Sequence, residues 1–190
     1  METAEFMAMC QDAIVKNDLE SLKRAVYEFS ELCFSYPTDA VLDDGLVSYL
    51  SETFRSPRFH AMEGSWHLIR LIEEDWSAFT EEQRLRLLDP IEFSYNKYAD
   101  WMSCFMISEI LGDNYCCERA FEVLRRLSAI PEEVPRSLIP HGFEHIAQSA
   151  DDPALRELAL AEIHRMRGDV SEQVRDEALI SLGRLGIQAE

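Results

Sequence analysis

Positive charge is what this chain has least of. Eighteen Lys and Arg stand against 36 Asp and Glu, a formal net charge of −18 on 190 residues. That balance argues against a surface for nucleic-acid phosphates or anionic membrane and favours a cationic partner. No segment relieves it: residues 1–57 carry 11 acids and 4 bases, residues 58–112 carry 10 and 5, and residues 113–190 carry 15 and 9. Glycine and proline are sparse too, seven of each. Apolar runs are short; the longest, Trp101 to Leu111, falls below a membrane span and contains Glu109. The opening Met1-Glu2-Thr3-Ala4-Glu5 lacks the basic and apolar stretches of a signal peptide. The cysteines (Cys10, Cys33, Cys104, Cys116 and Cys117) are odd in number and form no CxxC, which predicts free thiols in a reducing, cytoplasmic setting. A glycine-rich phosphate loop, a Gly-x-Ser-x-Gly elbow and a paired-carboxylate motif are all missing. The expectation is therefore no enzyme and no cofactor.

What is present is helical periodicity, in a composition 47% hydrophobic that can build a core. Leu19, Leu22, Val26, Phe29 and Cys33 share one helix face, and Tyr36-Pro37 should end that helix. Leu42, Leu46, Leu50 and Phe54 mark another, and Met62, Trp66, Ile69, Ile72 and Trp76 a further one. Thr80-Glu81-Glu82-Gln83 reads as a capping box opening a short helix to Leu88. Asp89-Pro90-Ile91-Glu92 then reads as a fresh start, with a long helix through Tyr98, Trp101, Phe105 and Ile110 to a left-handed cap at Gly112.

Near the end the chain repeats itself. Leu155-Arg156-Glu157-x-Ala159-Leu160-x-x-Ile163-x-Arg165-Met166 returns nineteen positions later as Val174-Arg175-Asp176-x-Ala178-Leu179-x-x-Leu182-x-Arg184-Leu185. This pattern resembles HEAT and armadillo helices, and upstream the helix lengths agree. The resemblance implies an all-α, single-domain, right-handed helical stack (an α-solenoid) of about nine or ten helices. Residues 1–130 would form irregular helical pairs, 131–140 a Pro-rich connection, and 141–190 the HEAT-like helices.

Several groups invite a chemical reading. His60, Glu63 and His67 could share a face, although their spacing is not that of zinc hydrolases. His141 and His145 have i, i+4 spacing and are weak metal candidates, because no third ligand is evident beside them. Cys116-Cys117 is a vicinal pair at a helix start, a place that lowers thiol pKa, but no His or Asn accompanies it in a catalytic arrangement, so a buried thiol is the default expectation. Glu109 lies on an apolar face and is expected to pair with Arg119 or Arg126. The acidic runs Asp43-Asp44, Glu73-Glu74-Asp75 and Glu81-Glu82, with Trp76 among them, suit an interface for Lys and Arg.

In size, charge and helical character the chain resembles bacterial immunity proteins that neutralise a toxin. That resemblance implies a protein-binding module for a basic partner such as a toxin nuclease, with Asp43, Asp44, Glu73, Glu74, Asp75, Trp76, Glu81 and Glu82 as partner-binding residues. The alternatives are a HEAT-like scaffold binding a peptide or helix and, with less support, a metal-assisted enzyme.

Overall fold

A computed structural model describes residues 1–34 and 42–187, leaving the side chains of 32–34 outside the description. The expected helix end at Tyr36-Pro37 lies outside the described residues. Among the described residues the protein is all-α, with short 3-10 and π segments and no strand. No helix there is long and apolar enough to cross a membrane. The chain forms two compact units, Met1–Ser103 and Cys104–Glu190.

Unit 1 contains α1 (Thr3–Lys16), α2 (Leu19–Phe34), α3 (Asp44–Thr53), α4 (Pro57–Ala61), α5 (Trp66–Glu74) and α6 (Glu81–Ser94). Apolar residues at three- and four-residue steps turn inward. Phe6 of α1 stacks on Phe29 of α2 at 4.2 Å, above a fully buried Leu22. Leu46 and Leu50 of α3 and Leu68 and Ile69 of α5 are equally closed to solvent. The capping box forms as read: Gln83 N–H donates to Thr80 Oγ1 at 3.2 Å, and Thr80 N–H to Gln83 Oε1 at 3.0 Å.

The fresh start at Asp89-Pro90 does not form. Helix α6 runs through Pro90. Proline costs one backbone hydrogen bond there, but Leu87, Leu88 and Ile91 carry the buried stripe across it, each at most 2% exposed. The chain then breaks at a 3-10 turn, Tyr95–Lys97, and α7 (Trp101–Glu109) begins separately, with Asp100 accepting from Met102 N–H at 2.9 Å.

Unit 2 continues from α7 into a π-helical segment, Ile110–Tyr115, followed by α8 (Glu118–Leu127), α9 (Glu133–Ser137), α10 (Ile139–Ser149), α11 (Pro153–Met166) and α12 (Glu172–Arg184). Gly112 is not a left-handed cap. It lies inside the π segment, buried, where a Cβ would meet the Gly142 carbonyl oxygen at 2.3 Å.

The nineteen-residue repeat has a physical basis, and a third copy precedes it. Glu132, Asp152 and Ser171 are the N-cap residues of α9, α11 and α12, and each is followed four positions later by an arginine. All three arginines double back to a carbonyl six residues earlier: Arg136 to Ile130, Arg156 to Ala150, Arg175 to Asp169. Each thereby closes the turn that precedes its helix. The apolar positions correspond as well, with Ile139, Phe143 and Ile146 matching Ala159, Ile163 and Met166, all fully buried. The segment read as a Pro-rich connection thus contains the start of a repeat.

Candidate functional site

Four of the acidic residues singled out in unit 1 are brought together by folding. Leu42 N–H donates to Ala78 O at 2.9 Å, and Gln83 Nε2 donates to Leu42 O at 2.8 Å and to Asp44 Oδ1 at 3.0 Å. These bonds set the starts of α3 and α6 side by side. Asp43 caps α3 through Gly45 N–H, and Asp44 pairs with Arg86 at 3.1 Å. Glu81 and Glu82 project from the first turn of α6, and all four acids are exposed. A cleft of ≈ 430 Å³ between the two starts is lined by Leu42, Asp44, Thr80, Glu82 and Gln83.

The other acidic run is differently placed. Glu74 pairs with Arg70 at 2.7 Å, and Glu73 is half-buried. Asp75 is only 4% exposed and accepts a hydrogen bond from Ser30 Oγ at 3.2 Å. Burial raises its pKa to about 6. Trp76 is half-buried, and Arg84 lies 4.4 Å above its ring while donating to its carbonyl oxygen at 2.7 Å. The ring therefore already holds a cation from its own chain.

His60, Glu63 and His67 do not converge. His60 belongs to α4, where its Nε2 contacts Phe54 O at 2.7 Å and its ring meets Tyr98 edge-on. His67 belongs to α5 and stacks on Trp66 at 3.6 Å. Burial lowers the pKa of both. Cys116 is half-buried and not activated: burial, then Asp113, raises its pKa. None of the four described cysteines is in a disulfide, and burial takes Cys10 to about 12.

The His141–His145 pair acquires the third ligand that the local sequence did not offer. One ligand atom each from Glu109, His141 and His145 lie within 4.8 Å of one another, all three residues half-buried. The two Nε2 atoms are 3.2 Å apart. Glu109 reaches the pair because α7 and the π segment pack directly on α10, where Gly112 and Gly142 allow backbone contact. Ser108 Oγ secures the approach, accepting from Gly142 N–H at 3.1 Å and donating to Leu138 O at 2.8 Å. Phe105 stacks on His141 at 4.8 Å and 13°. Behind the rings, Glu144 Oε2 lies 3.6 Å from His141 Nδ1, and Asp113 Oδ1 lies 3.7 Å from His145 Nδ1. Burial, then the charge of His145, lowers the pKa of His141.

Comparison with protein-family models, curated proteins and solved structures finds no match to this chain.

Proposed function

From charge and geometry we propose that the protein is a protein-binding module that receives a basic partner on the acidic cleft of unit 1, as an immunity or inhibitor protein would. One observation carries the reading: Asp44 and Glu82, from separate parts of the chain, line one cleft, with the exposed Asp43 and Glu81 next to them in sequence at the same two helix starts. Met1–Ser103 as a whole carries twenty acidic against nine basic residues, so the local field adds to a general one. Such a surface attracts Lys- and Arg-rich protein over a Debye length and competes with phosphates for it. Trp76, already stacked, contributes no open ring face in this reading, and Asp75 contributes charge from below the surface only. The repeated helices α9–α12 support reading that part of the chain as a right-handed, HEAT-like stack.

The test is affinity capture followed by kinetics. Wild-type protein is expected to retain a basic protein, with an association rate that falls steeply as salt rises. The variant Asp43→Asn/Asp44→Asn/Glu81→Gln/Glu82→Gln keeps both helix starts capped and should lose most of that rate. Capture of acidic partners only, or association indifferent to salt, would overturn the proposal.

A further inference from the structure

The acidic-cleft reading makes no use of the half-buried cluster beneath the π segment of unit 2, where a carboxylate and two imidazoles converge from distant parts of the chain. We propose that Glu109, His141 and His145 bind one divalent first-row transition ion, Zn2+ foremost, with a coordination position left open for water or a small exogenous ligand.

Spacing is the first argument. Two imidazoles on a tetrahedral Zn2+ with Zn–N bonds of about 2.0–2.1 Å are held roughly 3.3 Å apart. The Nε2 atoms of His141 and His145 are 3.2 Å apart, already at that distance. Composition is the second. Two histidines and one carboxylate leave a four-coordinate ion one free site, and imidazole selects transition metals over Ca2+ and Mg2+, which take oxygen ligands.

The surroundings supply the third argument. With both Nε2 lone pairs on a cation, each Nδ1 carries the proton, and each Nδ1 faces a carboxylate, Glu144 or Asp113. Carboxylates in that position fix the ring orientation and tautomer of ligating histidines. Arg184 lies 3.3 Å from Glu144 Oε2 and 3.4 Å from His141 Nδ1, and its side chain is 54% exposed. Glu109, Glu144 and Asp113 against Arg184 leave two negative charges, the complement of a divalent ion. The π segment that carries Asp113 is an independent pointer, since such insertions concentrate at functional sites.

The experiment uses the untagged full-length chain, stripped with a chelator, reloaded with ZnCl2 or CoCl2 and passed through gel filtration. One ion per chain is expected, and Co2+ should give the intense visible bands of a four-coordinate site. Glu109→Gln and His145→Gln should release the ion, while Glu144→Gln should weaken Zn2+ binding by about 10–100-fold. His164→Gln, at an exposed histidine of α11, should change nothing. Circular dichroism accompanies each variant; if His145→Gln does not fold, the half-buried Glu109→Gln carries the decision. A substoichiometric ion on the wild type, or an ion retained undiminished by the folded ligand variants, overturns the site. No partner protein enters the assay, so its outcome is separate from that of the acidic cleft.

Discussion

Replacing Arg136 with alanine should be among the most damaging single changes in unit 2. Its guanidinium donates four hydrogen bonds: Nε and Nη2 to the two carboxylate oxygens of Asp169, both at 3.1 Å, and Nη1 to Ile130 O at 2.6 Å and Pro131 O at 3.0 Å. The side chains of the pair are 10% and 13% exposed, so neither is well solvated. Burial works to raise the pKa of Asp169, but the Ser171 amide and Arg136 outweigh it and hold the carboxyl below its ordinary value. Removing one partner of such a pair strands the other charge and costs about 3–5 kcal/mol. For a protein of this size that is a fall in Tm of roughly 6–20 °C. Urea and thermal unfolding of Arg136→Ala measure it, with Arg156→Ala as the control. Arg156 makes the equivalent return bond to Ala150 from an exposed position, without a carboxylate, and its loss should cost only about 0.5–1.5 kcal/mol. An Arg136→Ala penalty no larger than that of Arg156→Ala would refute the reasoning.

Asp75→Asn should stabilise the protein at pH 7.5 by up to roughly 3 kcal/mol and leave it unchanged near pH 4. The folded carboxyl titrates near 6 rather than 3.8, so between those values the native state holds more protons and wild-type stability falls as pH rises; a flat difference across denaturation curves at several pH values would contradict this. Gly112→Ala should cost about 1–3 kcal/mol, because its Cβ would lie 2.3 Å from the Gly142 carbonyl oxygen, and thermal unfolding reads the loss directly.

Helices announced themselves in the sequence wherever a buried stripe and a cap coincided. Thr80 caps the helix it was expected to open. Pro90 was misread because a proline after Asp has the form of a helix start, while continuation of the Leu87–Leu88–Ile91 stripe is decided only by packing. The third repeat was hidden because Leu138 separates α9 from α10, so one motif spans two helices. Of the cluster in unit 2, the histidine pair was legible from its i, i+4 spacing, and Glu109 stood out as a carboxylate on an apolar face. Their convergence was not legible: it depends on Gly112 meeting Gly142, a tertiary contact with no local periodicity to betray it.

The wide turn over Ile110–Tyr115 holds one more residue than an α-helix would need to cover the same rise. Deleting a residue between Glu109 and Asp113 would let that stretch wind into ordinary geometry, with better-aligned amides. It would also rotate Asp113 by roughly 100° relative to Glu109 and turn it away from His145. Local comfort of the main chain and alignment of the acidic side chains over the imidazoles therefore pull in opposite directions at this point.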